Sequence, residues 1–316
     1  MSDASTNSDL ADMGSGNTDT FCTKHSTIYP ALSPSSTNFS STTKTTDNDF
    51  VVCIIGASRG IGAGIALSYA KAQTPTLILS SRRLSGLEET ATKCRALNPS
   101  GKVEIIPCDI TSEPSVAALA QHIKSTHKRL DILLLNSGTS GPIIPQLHQN
   151  DPQTFQNVTA VNYLGTFYCA HHFIPILLSS PQGAKSFLAT SSIAALIVLG
   201  VIANPQYTVS KAAQLRLLEC AHEQYKSQGV GVYAIHPGAV LTEIAEETAP
   251  EEFKPYLTDS AELCGAFCVW LTREDKREER RWLAGRLLSA CWDVGELEGK
   301  KDEIVSKDLF KLKFAM

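Results

Sequence analysis

Residues 51–72 read VVCIIGASRGIGAGIALSYAKA, a short apolar run followed by three closely spaced glycines and a helical pattern. The run is short enough for a strand, and residues 63–72 have the composition of a helix. Gly56 allows the sharp turn between them, and Gly60 and Gly62 lack the Cβ atoms that would hold the backbone away from a ligand. Since the first turn of a helix carries unpaired N–H groups, the stretch predicts a strand–turn–helix unit that binds an anion such as a phosphate.

The alternation of a strand pattern with a helical pattern continues along the rest of the chain. Besides the run at 50–55, short apolar runs rich in Val, Ile or Leu lie at 76–79, 103–107, 132–135, 185–189 and 230–235. Runs that are apolar throughout are typical of parallel strands buried on both faces. Since helix-length segments separate them, residues 49–316 are predicted to form one α/β domain, a doubly wound parallel sheet with helices on both faces.

The first 48 residues differ from this pattern. Twenty of them are Ser or Thr, and their apolar residues show no periodicity. Such a segment buries too little apolar surface to offset its loss of conformational entropy, so residues 1–48 are predicted to be a disordered tail. A transit peptide is one alternative, although such peptides are rich in Arg and poor in acids, and this stretch has five Asp and no Arg. A phosphorylated docking arm for a partner is another.

Composition and charge exclude several classes of protein. The 316 residues carry a net charge of −4, whereas proteins that bind nucleic acids show a basic surface. The longest apolar run, 193–203, is shorter than the roughly 18–20 residues of a membrane helix. Nine scattered cysteines, with neither zinc nor disulfide spacing, predict buried free thiols, no metal site and a cytoplasmic location. The charged run at 273–281 is interpreted as a solvated helix face.

Residues 80–83, which follow the second strand, read Ser-Ser-Arg-Arg. In folds that bind dinucleotides, an acidic residue near this point binds the ribose 2′-hydroxyl, whereas an arginine accommodates a 2′-phosphate. No acidic residue is present here, and the planar guanidinium groups of Arg82 and of Arg59 in the first turn suit a phosphate. The pattern therefore favours NADP(H) over NAD(H) as a cofactor. The alternative is that both arginines make only surface contacts.

Tyr207 and Lys211 stand four residues apart in a helical stretch at 207–227, so their side chains share one helix face. A phenol has an ordinary pKa of about 10. A nearby ammonium, joined by a cationic nicotinamide, is expected to lower the pKa of Tyr207 and so to suit it to proton exchange near neutral pH. Ser192 follows the fifth strand, where a hydroxyl faces the ligand crevice of a doubly wound sheet. It is a candidate to hold a substrate carbonyl, and helix capping is the structural alternative.

Together these motifs resemble those of the short-chain dehydrogenase/reductase family, which has a Rossmann-type fold. The resemblance extends from residue 49 to the C-terminus. Ile55 departs from the Thr that usually precedes the first glycine, and Ser137 from an Ala. The matching motifs are GASRGIG at 56–62, CDIT at 108–111, LNSG at 135–138, VNY at 161–163, SS at 191–192, YTVSK at 207–211, HPG at 236–238 and LT at 241–242.

The resemblance implies a catalytic role for four residues. Tyr207 would be the general acid/base, and Lys211 would lower its pKa and bind the nicotinamide ribose. Ser192 would orient the substrate oxygen, and Asn162 would hold a water molecule of a proton relay. Ser192 is preferred over Ser191 because it matches the second serine of the family's pair.

The resemblance also implies which residues would bind the cofactor. Asp109 would contact the adenine, Asn136 would line the adenine-ribose side of the cleft, and Thr242 would contact the nicotinamide side. Tyr207 and Lys211 would touch the cofactor as well. The remaining implied contacts are Gly56, Ser58, Arg59, Gly60, Ile61, Gly62, Arg82, Pro237, Gly238 and Val240.

The C-terminal run from WLAGR at 282–286 through WD at 292–293 to DL at 308–309 is similar to a fungal branch of the family. The resemblance implies a homodimer or homotetramer and a role in tailoring polyketides or terpenoids. The predicted activity is therefore that of an NADP(H)-dependent oxidoreductase acting on a secondary alcohol or ketone of a medium-sized apolar molecule. The alternative is a cofactor-binding scaffold or cyclase-like protein with little redox turnover.

Overall fold

The structure, a computed structural model, describes residues 21–36, 50–144, 146–180, 183–200, 203–273 and 276–313. Within these ranges, seven strands form one parallel sheet. The strands are β1 (Val51–Ile55), β2 (Thr76–Ser81), β3 (Lys102–Pro107), β4 (Ile132–Leu135), β5 (Ser186–Thr190), β6 (Gly231–His236) and β7 (Leu287–Ser289). Their spatial order is β3-β2-β1-β4-β5-β6-β7.

Helices connect the strands and cover both faces of the sheet, which confirms the predicted α/β fold. The α-helices of the described residues are α1 (Gly60–Lys71), α2 (Leu84–Leu97), α3 (Glu113–Thr126), α4 (Pro152–Thr159), α5 (Gly165–Ser179), α6 (Pro205–Tyr225), α7 (Glu243–Thr248), α8 (Ala261–Thr272), α9 (Val294–Gly299) and α10 (Lys301–Ser306). Apolar side chains of α1, α2 and α8 form the core on one face, and those of α3, α5 and α6 form the core on the other.

The strands are apolar along their whole length because alternate side chains enter the two cores. In β1, Val52 and Ile54 belong to the core beneath α1, whereas Val51, Cys53 and Ile55 belong to the opposite core. All six predicted strands are present, and their ends differ from the prediction by at most two residues. The seventh strand, β7, was not predicted, because three residues are too few to show a pattern.

The reversal of strand order places a crevice beside β1. The chain proceeds from β1 outward to β2 and β3, and then returns to add β4 on the other side of β1. The loops that leave β1 and β4 therefore diverge to opposite faces of the sheet. This opening at the carboxyl ends of the strands is where doubly wound sheets bind ligands.

Residues 21–36, here called the N-terminal strap, pack against the C-terminal part of the domain. The His25 N–H donates to the carbonyl oxygen of Cys291 (2.8 Å), and the Phe21 ring lies 5.9 Å from that of Trp292. Leu32 is buried in the core. The predicted disorder of residues 1–48 is therefore wrong for the strap, because its few apolar side chains are buried against the domain. Residues 1–20 and 37–48 lie outside the described residues.

Candidate active site

The carboxyl ends of the central strands open into one cleft with a volume of about 1010 Å³. It reaches from the glycine turn after β1 to the start of α6. The predicted site residues that line it are Gly56, Ser58, Arg59, Gly60, Ile61, Arg82, Asn136, Ser192, Tyr207, Lys211, Pro237, Gly238, Val240 and Thr242. The other three, Gly62, Asp109 and Asn162, do not line the cleft.

The glycine turn brings the start of α1 against the end of β1. A Cβ atom on Gly62 would overlap the carbonyl oxygen of Gly56, so only glycine fits there. Asn136 donates from Nδ2 to the same oxygen (3.2 Å) and accepts at Oδ1 from the Thr190 hydroxyl (3.0 Å), which ties together the ends of β1, β4 and β5. The N–H groups of the first turn of α1 begin at Gly60 and border the cleft. This arrangement fits the pyrophosphate of a dinucleotide.

The arginines that the sequence singles out lie at one end of the cleft, close to carboxylates. Arg59 forms an ion pair with Glu243 at the start of α7, and Arg83 lies 3.4 Å from the same carboxylate. Burial and the charge of Arg83 lower the pKa of Arg59. Arg82 is exposed at the same end of the cleft. Sequence reasoning missed Glu243, since no motif marks an acidic residue that faces these cations from another loop.

Asp109 and Thr242 both stabilise loops beside the cleft. Asp109 Oδ1 accepts hydrogen bonds from the N–H (2.9 Å) and the hydroxyl (2.7 Å) of Thr111. Burial opposes the charge of Asp109, but these bonds and the nearby Arg82 hold its pKa below the ordinary value. Thr242 Oγ1 accepts from the N–H of Ala245 (3.1 Å) and so caps α7. Cofactor contacts by either residue stay predictions.

Ser192 and Tyr207 both line the cleft, and the Ser192 hydroxyl interacts favourably with the Tyr207 phenolate. Ser192 Oγ also accepts from the N–H of Ala194 (3.0 Å), so its own hydrogen can point to Tyr207 or to a substrate oxygen. The Ser191 hydroxyl is buried and has no hydrogen-bond partner within the described part of the chain. Of the two candidate serines, the structure therefore pairs Ser192 with Tyr207.

The expected lowering of the Tyr207 pKa is not present in the protein by itself. Burial raises the pKa of this phenol, and the hydrogen bond with Ser192 only partly offsets that effect. Lys211, whose Nζ lies 5.8 Å from the centre of the phenol ring, does not reverse this shift. The prediction also invoked the positive charge of a bound nicotinamide, which the protein's own residues do not supply.

Lys211 is buried between α6 and the end of β5. Its Nζ donates to the carbonyl oxygen of Thr190 (2.8 Å) and to Oε1 of Gln214 (3.1 Å). An ammonium has three N–H donors, so one remains for the cleft that Lys211 lines. Burial lowers the pKa of Lys211 to about 7, and the residue therefore titrates near neutral pH.

Asn162 lies in a π-helical turn, Ala160–Leu164, between α4 and α5. Its side chain accepts from the N–H of Thr139 (2.9 Å) and donates to the carbonyl oxygen of Thr139 (2.8 Å) and to the Ser210 hydroxyl (3.0 Å). These bonds connect the loop after β4 with α6. Asn162 is thus fully buried beside the cleft rather than exposed in it, and its water-holding role stays a prediction.

Three buried amide side chains next to these residues belong to none of the sequence motifs. Gln214 accepts from Lys211 and donates from Nε2 to the Thr166 hydroxyl (2.9 Å). Asn204 and Gln206 donate to the carbonyl oxygen of Pro142 at 3.3 and 2.8 Å, which fixes the loop after β4 beside the start of α6. Sequence reasoning missed them because a glutamine in a helix is usually exposed. Only the structure shows that they are buried.

The far end of the cleft is apolar. Its walls come from the loop after β4, the 3₁₀ turn Ile193–Leu196 and the region around α7. The apolar side chains there are Ile143, Ile193, Ala194, Ile197, Ile244, Ala249, Phe253 and Leu257. Residues 194–206 and 241–257 contribute most of these side chains. Among the described residues, no helix is both long and apolar enough to cross a lipid bilayer.

Comparison with known sequences identifies the family. Residues 50–252 match the family model for short-chain dehydrogenases. The short-chain dehydrogenase citE of Monascus ruber is 36% identical over 296 residues, which cover 92% of this chain and 95% of the relative. The short-chain dehydrogenase pgmD of Aspergillus terreus is 31% identical over 303 residues, with 93% of each chain covered. The predicted resemblance to a fungal branch is thereby confirmed.

Solved structures of similar fold include short-chain dehydrogenases. A short-chain dehydrogenase from Shigella flexneri, complexed with NADP, is 26% identical with a TM-score of 0.67; the match covers 77% of this chain and 97% of that one. A 7α-hydroxysteroid dehydrogenase complexed with NADH has the same TM-score at 21% identity, over 83% and 96% of the two chains, and shows the fold alone. With the glycine turn, the Ser192–Tyr207 pair and Lys211 in one cleft, this chain belongs to the short-chain dehydrogenase family of oxidoreductases.

Proposed function

We propose that the protein is an NADP(H)-dependent oxidoreductase that interconverts a secondary alcohol and a ketone on a medium-sized apolar substrate, such as a polyketide or terpenoid intermediate. One observation carries the proposal. Ser192, Tyr207 and Lys211 lie in the same cleft as the glycine turn, with an apolar wall beyond them. A proton donor, a cofactor cradle and an apolar substrate surface therefore face one another.

The chain's own residues handle the proton and the position of the substrate. A bound nicotinamide supplies the hydride to the carbonyl carbon in the reduction and takes it back in the oxidation. In the reduction, the Tyr207 hydroxyl gives its proton to the substrate oxygen, and in the oxidation the phenolate accepts it. The Ser192 Oγ accepts a hydrogen bond from the Ala194 N–H, which fixes the position of the side chain. Its own O–H can then donate to the substrate oxygen and orient it. Lys211 offers its third N–H to the cofactor ribose and, when protonated, favours the phenolate.

The choice of NADP(H) rests on charge at the adenine end of the cleft. Arg59, Arg82 and Arg83 line this end, and no acidic residue follows β2 within residues 80–83. Arginine binds a phosphate with a planar set of donors. Glu243 pairs with Arg59 there, so a 2′-phosphate has to compete with this carboxylate. The NADP complex of the related Shigella protein is consistent with the same preference.

A calorimetric titration with NADPH and NADH side by side tests the cofactor. We expect tight binding of NADPH and weak binding of NADH. The variant Arg82→Ala is expected to weaken NADPH binding by about 10- to 100-fold and to leave NADH binding unchanged, because only the 2′-phosphate differs. Arg95→Ala on α2, outside the cleft, is the control. Equal affinities, or binding of neither cofactor, would contradict the proposal, and the second result favours a scaffold.

The variant Tyr207→Phe tests the chemistry. Removing the hydroxyl deletes the proton donor while the ring still fills its place, so turnover of an NADPH-coupled ketone panel should fall at least about 1000-fold. NADPH affinity, measured by the same calorimetry, should stay within a few-fold of the wild type. Substantial remaining turnover would show that another group exchanges the proton.

Exposed apolar residues on two helices bear on the oligomeric state. We infer a homodimer or homotetramer through α5 and α6, because Leu164, Phe167 and Val209 are exposed apolar residues at these helices. Light scattering coupled to size-exclusion chromatography checks this, and a monomer at micromolar concentration would contradict it.

All nine cysteines are free and only Cys220 is exposed, which is consistent with the proposed reducing, cytoplasmic location. Imaging of a fluorescent fusion of the whole chain tests that location.

A further inference from the structure

Gln214 lies one helical turn after Lys211 on α6 and is completely buried. Its side chain bridges two polar groups. Oε1 accepts from Lys211 Nζ (3.1 Å), and Nε2 donates to the Thr166 hydroxyl (2.9 Å). Thr166 in turn donates from that hydroxyl to the carbonyl oxygen of Asn162 (2.7 Å). A continuous buried chain of hydrogen bonds therefore runs from Lys211 on α6 to the backbone of Asn162 between α4 and α5.

The chain of hydrogen bonds fixes which way the glutamine amide faces. A hydroxyl that donates to the Asn162 carbonyl can only accept from its other neighbour, so Thr166 requires the NH₂ group of Gln214. The carbonyl oxygen of the amide must then face Lys211. Thr166 and Gln214 are both fully buried, so no water competes for these positions. The orientation of Gln214 follows from this donor–acceptor order.

We propose that Gln214 is a positioning residue for Lys211, which holds the ammonium in its charged form and aims its third N–H into the cleft. The effect of this role on catalysis rests on the proposed function, whereas its effect on the charge and position of Lys211 does not. Two acceptors, the Thr190 carbonyl and Gln214 Oε1, face the ammonium, and together they use two of its three donors. Loss of one acceptor makes the charged form less stable in a buried site and frees the side chain to rotate.

The variant Gln214→Met tests the role, because methionine fills a similar volume without an acceptor. The ε-methylene carbon of ¹³C-labelled lysine reports the pKa of Lys211 by NMR titration, with the signal assigned by its absence in Lys211→Arg. The wild-type pKa should lie at about 7, and Gln214→Met should lower it by about one unit or more. Gln206→Met, another fully buried glutamine of α6 without contact to Lys211, is the control and should leave this pKa unchanged.

Thr166→Val provides a second variant if Gln214→Met fails to fold. It leaves the acceptor in place but removes the hydroxyl that orients it, so the Lys211 pKa should fall by less than in Gln214→Met. A Lys211 pKa in both variants equal to that of Gln206→Met would overturn the proposal. The titration needs neither cofactor nor substrate, so its outcome is separate from that of the proposed oxidoreductase activity. Where turnover is measured, the pH profile of kcat should shift in the same direction as the titration.

A second cluster, outside the cleft, has the composition of a metal site. Glu104 on the edge strand β3 faces His122 on α3 and His127 at the end of that helix. The carboxylate oxygen of Glu104 lies 3.2 Å from Nε2 of His127 and 3.6 Å from Nε2 of His122. The three potential ligand atoms all lie within 4.8 Å of one another. All three side chains are partly accessible from solvent.

The two distances from the Glu104 oxygen match the geometry of zinc. Ligands at about 2.0–2.1 Å from a tetrahedral ion lie about 3.3–3.4 Å apart, close to both measured distances. Two imidazoles and one carboxylate are ligands that zinc prefers, and water can complete the tetrahedron. We infer that Glu104, His122 and His127 bind one zinc ion, which fastens the end of α3 to the edge strand β3. This site was not predicted from the sequence, because ligands on a strand and a helix follow no zinc-motif spacing.

Chelator-treated, tag-free protein titrated with Co²⁺ and Zn²⁺ tests this site. We expect one zinc per chain by calorimetry, a cobalt spectrum of tetrahedral type and a higher unfolding temperature with zinc. Glu104→Gln and His127→Ala should each abolish the cobalt spectrum. His172→Ala, which breaks a comparable His–Glu pair with Glu113, should not. Absence of binding, or binding that survives both cluster variants, would overturn the inference.

Discussion

Ser191 and Ser192 are neighbours in the chain but have opposite environments. The Ser192 hydroxyl accepts from the N–H of Ala194 and lines the cleft with Tyr207, whereas the Ser191 hydroxyl is buried without a partner in the described structure. We expect Ser192→Ala to lower kcat for the ketone substrate about 100-fold, because a hydroxyl that orients the reacting oxygen is lost. Ser191→Ala should keep kcat and leave the free energy of unfolding equal or slightly higher, since it removes an unpaired buried hydroxyl. Steady-state kinetics and urea unfolding check both variants, and a reversed order would exchange the roles.

At the scale of single residues, the sequence predicts chemistry where residue type and spacing are tied together. Tyr207 and Lys211 are recognisable because a helix places them on one face. Gln214 is held by Thr166 on α5, and Glu243 pairs with Arg59 at the start of α1, so no local pattern reports either residue. The direction of the Tyr207 pKa shift depends on burial of the phenol, which a sequence does not give.

At the scale of elements, α1 and α8 cross at unusually close range. A Cβ atom on Gly64 would lie 2.5 Å from the carbonyl oxygen of Ala261, and one on Gly265 would lie 2.6 Å from that of Gly64. Gly64→Ala is therefore expected to lower the free energy of unfolding by about 1–3 kcal/mol, since a backbone must move. Gly299→Ala on α9 has nothing within 4 Å and should be neutral or stabilise by up to about 1 kcal/mol. Urea denaturation compares the two, and equal effects would contradict the close crossing.

The elements themselves are the most predictable level of this protein. Buried parallel strands are apolar throughout, so six of them are visible in the sequence. The charged run at 273–281 shows the limit of such patterns. Arg280 is buried: its guanidinium stacks 4.0 Å from the Trp270 ring, donates to the Trp270 carbonyl oxygen (2.6 Å) and pairs with Glu298 (2.7 Å). The interpretation as a solvated helix face is therefore wrong for Arg280, because its partners lie on α8 and α9 outside the run.

At the scale of the whole molecule, the N-terminal strap joins the two ends of the described chain. Thr23 bonds Glu296, His25 lies 2.9 Å from Asp293, and Leu32 enters the core. Deletion of residues 2–36 should lower the unfolding temperature by about 5 °C or more, because these contacts are lost and apolar core is exposed. Deletion of residues 2–20 keeps every one of these contacts and should leave the temperature unchanged. Differential scanning calorimetry distinguishes the two, and equal stability of both would show that the strap adds nothing.

The strap could not be found from composition. Its Ser and Thr content resembles that of the residues around it, and its buried side chains are too few to form a periodic pattern. What determines its order is a receiving surface built by Trp292 and Phe310, whose rings lie 4.7 Å apart. Phe310 meets Phe21 edge-on at 4.9 Å. Such complementarity between distant segments exists only once the domain has folded.

The strap also sets an order of events during synthesis. Thr23 and Glu296 are 273 residues apart, so the ribosome makes the strap long before its receiving surface. At about 5–20 residues per second, the interval between them is roughly 15–55 s. The strap therefore stays undocked while the sheet forms behind it, and it closes over the domain only after Trp292 and Phe310 have emerged. A segment translated early is thus among the last to reach its native place.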